Sequence, residues 1–342
     1  MQQTILDKIL SGAVLNSDEM GCAMDRMLSN DYTPEEIKSI LSALAKRGET
    51  PPEIAGAARI LRAYALPVEP VPGAIDCCGT GGDGAHTYNI STAVAFILAG
   101  CGVPVAKHGN RAASSKCGAA DVLEELGVNI ALSPEMCHDA LKNLNFCFLF
   151  APGHYAVLKP LAALRRELGF RTIFNLMGPL ANPAGTEYQL LGVFDRKWVR
   201  PLAEVLKSLG TKRAMVVCGY GGLDEIATAG PTDCALLDES GTITEQTISP
   251  EDFGLPLLQN GNALRGGDAK ENAAAFMDLL HGKKSAYRDI VLANAAAALV
   301  VAGKTDGLKK GVELAAASLD DGRALDVFTR YRDYSQSAAK AT

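Results

Sequence analysis

Between Gly73 and Gly221, short apolar runs alternate with helical stretches, and this alternation limits the possible folds more than any other feature. GAIDCC ends in glycines, ISTAVAFILAG has helical texture, VPVAKHG is a second apolar run, and DVLEELG is helical again. NFCFLFAP, YQLLGVF and RAMVVCGYG are further strand candidates, with helical AEVLKSLG between the last two. Strands separated by helices pair in parallel, because each crossover returns the chain to the same end of the sheet. The expected class is α/β with a mostly parallel central sheet. Residues 1 to about 70 differ, with apolar positions at helical spacing only, in TILDKILSGAVL, EEIKSILSALAKRG and PEIAGAARILRAYAL. Ser17 and Thr33 are the expected caps, the latter before Pro34. The proline-rich LPVEPVPGA (66–74) reads as a linker. A small all-helical domain is expected over 1–70, joined by helices around 160–182. The α/β domain is expected over 74–160 and 183–342, ending in Ala-rich helices.

Charge and cysteine content narrow the function. The net charge is −6, with 33 Lys and Arg scattered among 39 Asp and Glu, and no basic stripe is present for nucleic acid. Nine cysteines, an odd number without a CxxC pair, suggest buried thiols in a reducing compartment rather than disulfides or zinc. MQQTILDKILSG does not read as a signal peptide. The most apolar stretch, Ala93 to Ala106, is broken by Gly100, Gly102 and Pro104 and is too short to span a bilayer. The expectation is a cytoplasmic protein with no membrane and no nucleic-acid partner.

The loop GTGGDG (79–84) follows a strand and precedes a helix. Gly79, Gly81 and Gly84 satisfy the dinucleotide fingerprint, but the acidic residue that would hold a ribose after the second strand is replaced by Lys107 and His108. Asp83 stands inside the loop, where its carboxylate repels phosphate unless a cation intervenes. No Lys followed by Ser or Thr closes a Walker loop. A backbone-lined anion site remains, with Asn89, Ser91 and Thr92 at the start of the next helix. KHGNRAASS (107–115) adds Lys107, Arg111 and two serines near the same sheet end. In GGLDEI (221–226), Asp224 and Glu225 follow an apolar run and suit a hard cation such as magnesium, which bridges carboxylates to phosphates.

Together, DCCGTGGDGAHTYNIST, VAKHGNRAASSKCGAADVLEELG, RRELGFRTIFNLMGPLANPAG and GGLDEI closely resemble the anthranilate phosphoribosyltransferase family in order and spacing. The resemblance implies the fold shared with pyrimidine nucleoside phosphorylases, usually as a homodimer joined through the helical domain. It implies that Gly79, Gly82, Asp83, Thr87, Asn89, Ser91, Thr92, Lys107, Asn110, Ser114, Ser115 and Ala119 bind phosphoribosyl pyrophosphate. Anthranilate would be held by Gly79, Asn110 and Arg165, with His108, His154 and Gly178 lining its entry; Ser91, Asp224 and Glu225 would bind Mg2+. The chain departs from the family pattern at CGAAD (117–121), where the family usually has SGSAD, so Ala119 offers only its backbone. Other departures are Tyr155-Ala156 after His154, and Cys218 and Gly221 around the metal loop.

Three other readings compete. A pyrimidine nucleoside phosphorylase would share the fold, but Asp83 with Asp224 and Glu225 favours a magnesium pyrophosphate substrate. A paralogous transferase for another aromatic acid would keep Asn110 and Arg165. A non-catalytic nucleotide-binding protein would lose the acidic pair or Arg165, and this chain keeps both.

Overall fold

Four helices open the chain, each with the N–H of its capping residue donating to the acidic side chain three residues on. They are α1 (Ile5–Leu10), α2 (Ser17–Leu28), α3 (Pro34–Arg47) and α4 (Pro51–Ala63) in the computed structural model, which describes residues 4–112 and 116–339. Thr33 caps α3 before Pro34 as expected, and Glu36 answers it. The cap of α2 is Asn16 and not Ser17, which becomes the first helical residue. The Asn16 side-chain oxygen accepts the N–H groups of both Asp18 and Glu19, at 3.0 and 2.9 Å, and a carbonyl with two lone pairs can serve both. Glu53, fully buried, accepts from Arg47 at 2.6 Å and from Leu15 N at 3.0 Å.

The remaining elements are, in order, β1 (Ile75–Gly79), α5 (Ile90–Gly100), β2 (Val105–Gly109), α6 (Ala119–Glu125), α7 (Pro134–Leu144) and β3 (Phe146–Phe150). Then come three short helices, α8 (Ala151–His154), α9 (Lys159–Leu168) and α10 (Ile173–Met177). They are followed by β4 (Tyr188–Gly192), α11 (Val199–Ser208) and β5 (Arg213–Gly219). A hairpin of β6 (Thr232–Leu237) and β7 (Ile243–Ile248) leads to α12 (Ala269–Leu280), α13 (Ala286–Val301), α14 (Leu308–Asp320) and α15 (Arg323–Ala339).

The seven strands lie in the order β3-β2-β1-β4-β5-β6-β7, parallel through β5 and antiparallel for the last two pairs. The sheet is mostly parallel, as the alternation predicts, and the antiparallel hairpin is an addition that the alternation does not announce. Its turn is held by Asp238, whose carboxylate accepts from the N–H groups of Ser240 and Thr242.

Two apolar cores flank the sheet. One holds α5 and α13, buried on nearly every side between the strands and α14–α15, which explains their unbroken apolar texture. The other joins α2–α4 with Tyr155, Leu161 and residues 173–181, and also takes α11 and one face of β4–β6. No helix among the described residues is long and apolar enough to cross a membrane. The chain runs outward from β1 to β2 and β3, then returns to β4 on the other side of β1. Ligands of open parallel sheets gather at such a reversal, beyond the carboxyl ends of the strands.

Candidate active site

Gly79 ends β1 and lies in register with Gly192, which ends β4. Both are glycine because the segment bearing Asp224 crosses directly over them. A methyl group on Gly79 would stand 2.2 Å from Asp224 Oδ2, and one on Gly192 would stand 1.6 Å from the Asp224 carbonyl oxygen. Beyond this crossing the chain turns through Gly81, Gly82 and Gly84, with φ of +69°, +74° and +74°. Left-handed residues in this number direct N–H groups into a concave turn, the geometry that receives phosphate oxygens. Asp224 Oδ2 accepts the Gly81 N–H at 2.7 Å, and Thr80 N donates to Gly192 O at 3.0 Å. Arg171 pins the far side of the loop by donating to the Gly82 carbonyl, while its guanidinium stacks 3.8 Å over the Phe194 ring.

Acidic groups are crowded here. Burial pushes the Asp224 carboxyl up to about 7, and the adjacent Asp83 carboxylate pushes in the same direction. Glu225 is held well above the ordinary carboxylate range by burial and by Asp224, although Lys107 and the Ser91 N–H draw it down. The Lys107 side chain is 2 % exposed and runs beneath the loop, donating to Cys77 O at 2.8 Å and to Ser91 Oγ at 3.1 Å. The sequence places Lys107 at a strand end. Instead it lies mid-strand in β2 and reaches the site from below. Ser91, Asp224 and Glu225 therefore converge, and Asp83 and Lys107 join them. Among the described residues no group of three or more His, Cys, Asp and Glu side chains is arranged to hold a metal by itself. The clustered carboxyl groups nonetheless fit a hard cation, which would favour their ionised forms and complete its shell with substrate oxygens.

Asn89 precedes α5 and Thr92 is buried in its first turn, while Thr87 bridges to Arg265 across the rim. Asn110 is exposed, and its side-chain oxygen accepts from Arg111 N at 2.7 Å. Arg111 is not offered to an anion, because α6 claims its guanidinium through Asp121, at 3.3 Å, and Glu124. Ala119 opens α6 behind Gly118, while Ser114 and Ser115 lie outside the described residues.

Of the residues expected on the acceptor side, His108 meets Gly178 and lies near His154, whereas Arg165 packs on Phe174. His108 Nδ1 lies 3.2 Å from the Gly178 carbonyl, so Nδ1 carries the proton and Nε2 is a buried acceptor without a partner among the described residues. Burial lowers this imidazole to about 4, and the neighbouring His154 and Lys107 act in the same direction. His154 Nδ1 donates to Leu66 O at 2.8 Å, and a bond to Cys137 raises its affinity for a proton against the effect of burial. The Arg165 guanidinium sits 5.2 Å over Phe174 and has no carboxylate or carbonyl partner among the described residues. Burial lowers its pKa, and a half-buried guanidinium of this kind suits an incoming carboxylate.

Several supporting residues are invisible in the sequence. Fully buried Asp76 accepts from His108 N at 3.2 Å and from Asn182 Nδ2 at 2.8 Å, and Asn182 also reaches Ala106 O at 2.8 Å. This network ties the 178–182 wall to the sheet. Gly192 carries a faint signal, a glycine closing a strand run; Asp76, Asn182 and Arg171 carry none, since their partners are distant in sequence.

Comparison with known proteins agrees with this geometry. The model of the glycosyl transferase family a/b domain matches residues 71–325, and that of the helical bundle domain matches residues 3–65. An anthranilate phosphoribosyltransferase of Bradyrhizobium diazoefficiens is 51% identical over 322 residues, 94% of this chain and 95% of its own length. The crystal structure of the Thermus thermophilus anthranilate phosphoribosyltransferase is similar with a TM-score of 0.91 at 40% identity, covering 97% of this chain and 99% of that one. The Saccharomyces cerevisiae enzyme, solved in complex with PRPP and Mg, gives 0.88 at 27% identity over 98% and 99% of the two chains.

Proposed function

Because the chain belongs to the anthranilate phosphoribosyltransferase family, we propose that it transfers the phosphoribosyl group of phosphoribosyl pyrophosphate to the amine of anthranilate, releasing pyrophosphate. One observation carries the reading: a turn of left-handed glycines at the sheet end lies beside the crowded carboxyl groups of Asp83, Asp224 and Glu225. An anion seat beside carboxyl groups that a cation would ionise suits a pyrophosphate that arrives with a divalent cation, and suits free phosphate poorly.

Magnesium is the cation we assign, held by Ser91, Asp224 and Glu225; when bound, it neutralises charge on the pyrophosphate. Gly79, Gly82, Asp83, Thr87, Asn89, Thr92 and Ala119 would cradle the donor, with Asn110 at the boundary between the substrates. As carbon one of the ribose loses pyrophosphate, positive character grows on the sugar and negative charge on the leaving oxygens. Lys107 and the loop N–H groups stabilise that negative charge from fixed positions. Anthranilate's amine is neutral at pH 7, so orientation matters more than a base. Arg165 would grip the carboxylate, while Gly178 and His154 would line its entry. Neutral His108 offers Nε2 as an acceptor for an amine N–H. We place the reaction in tryptophan synthesis in the cytoplasm. We infer a homodimer associating through the helical domain, a reading supported by Leu10 and Val14, which are 51% and 59% exposed.

The test follows loss of anthranilate fluorescence on adding phosphoribosyl pyrophosphate, with magnesium and with a chelator. Magnesium-dependent loss with release of pyrophosphate is expected. Turnover of a pyrimidine nucleoside with inorganic phosphate, and none of anthranilate, would replace this reading with a phosphorylase.

A further inference from the structure

Asn272, near the start of α12, is 3 % exposed and belongs to none of the site residues above. Its Oδ1 accepts the Gly267 N–H at 2.8 Å, and its Nδ2 donates to Asn89 Oδ1 at 2.9 Å. Asn89 Nδ2 in turn donates to the Cys117 carbonyl at 3.3 Å. A backbone N–H can only donate and a carbonyl can only accept, so both ends fix the polarity of this chain. Neither amide can turn over without bringing two like groups face to face. The arrangement also explains why Asn89, although it precedes α5, gives that helix no side-chain cap.

The chain joins three segments: the 265–267 turn, the start of α5 with Ser91 and Thr92, and the Cys117–Gly118 turn before α6. Backbone bonds fasten the same seam, from Gly266 N to His86 O at 2.8 Å and from Tyr88 N to Leu264 O at 3.0 Å. The Tyr287 hydroxyl holds the Asn89 carbonyl at 3.1 Å. A cleft of about 90 Å³ bordered by Thr87, Lys116, Cys117, Arg265 and Asn272 runs along it.

We propose that Asn272 is a positioning residue for the phosphoribosyl donor, acting through Asn89 to keep the start of α5 and the Cys117–Gly118 turn at one spacing. This rests on the functional reading above, which supplies the identity of the donor. Asn272→Asp keeps size and shape but replaces the donating NH2 with an oxygen. Asn89 must then turn its own amide towards Asp, which leaves its oxygen facing the Cys117 carbonyl.

The experiment starts with the wild-type protein, measuring turnover with anthranilate and binding of phosphoribosyl pyrophosphate by calorimetry without anthranilate. Absence of turnover breaks the functional reading alone, since the calorimetry still decides whether Asn272 shapes the donor site. With Asn272→Asp and Asn272→Ser, donor KM and Kd should rise about tenfold, the loss of one well-placed hydrogen bond, while anthranilate KM stays within about twofold. Adding Asn272→Ala to Asn89→Ala should worsen donor binding no further, because the two act as one unit. Circular dichroism and melting confirm folding, and Asn272→Ser serves if the aspartate variant folds poorly. Additive losses, equal shifts in both KM values, or unchanged donor binding in folded variants would overturn the proposal.

Discussion

The proposed donor side and the proposed acceptor side of the site are built by different means. The donor side is mostly backbone: paired glycines at the ends of β1 and β4, a turn of left-handed glycines, and the Asp224 segment laid across them. The acceptor side is mostly side chains, His108, His154 and Arg165, carried by β2 and by the short helices α8 and α9. Backbone walls tolerate no added atoms, whereas side-chain walls can be trimmed one group at a time. Mutations should therefore damage the donor side broadly and the acceptor side selectively.

The largest effect should come from Gly192→Ala. Its methyl group would meet backbone, not a movable side-chain tip, so the whole Asp224–Glu225 segment must shift. A displacement near 1 Å at reacting groups costs roughly a hundredfold, and kcat/KM for both substrates should fall by at least about that factor. Gly178→Ala is the matched control, because a methyl there meets nothing within 4 Å. That variant should keep its donor KM and change only anthranilate KM. Steady-state kinetics of the two variants decide the matter. If Gly192→Ala proves as mild as Gly178→Ala, the contrast between the two sides collapses.

The same contrast governs what is legible in the sequence. Alternating apolar runs announce β1 to β5, and glycines announce the phosphate turn, because both signals are local. Lys107, Ser91, Asp224 and Glu225 carry enough local chemistry to be singled out, and the fold brings them together. The β6–β7 hairpin escapes notice because ITEQTI presents an exposed, polar strand with little apolar pattern. Asn16 outranks Ser17 as a cap on the strength of two hydrogen bonds to the first turn. Arg111 has the look of an anion donor until α6 supplies Asp121 and Glu124. Asp76, Asn182 and Asn272 act through partners up to 183 residues away, a distance no local pattern records.

Arg165→Ala sharpens the comparison from the acceptor side. A hydrogen bond to a charged group contributes about 1.5–3 kcal/mol, so anthranilate KM should rise roughly tenfold to a hundredfold with donor KM unchanged. Guanidinium added to the assay should restore part of the loss. A parallel rise in donor KM would show that Arg165 supports the donor turn as well, and the division would lose its meaning.

The smallest effect concerns stability, and it turns on His108. This imidazole is held at about 4 in the folded protein, against about 6.5 when unfolded. Between those values the unfolded chain binds a proton that the folded chain refuses, so stability rises with pH through the window. The contribution is complete above about pH 6.5 and is lost as the pH falls towards 4. From pH 7.5 to 5.5 it amounts to roughly 1 kcal/mol, from the usual 1.36 kcal/mol per unit. His154, raised by its bond to Cys137, works in the opposite sense, since its contribution fades as pH rises through its folded value. The informative quantity is thus the difference between wild type and His108→Asn, in which the amide can still donate to Gly178. Urea unfolding at about pH 7.5, 6.5 and 5.5 should show the variant losing less stability than wild type on acidification. Parallel curves would mean that His108 is already solvated in the folded state, and the acceptor side would then lack the dry, neutral imidazole proposed to face the amine.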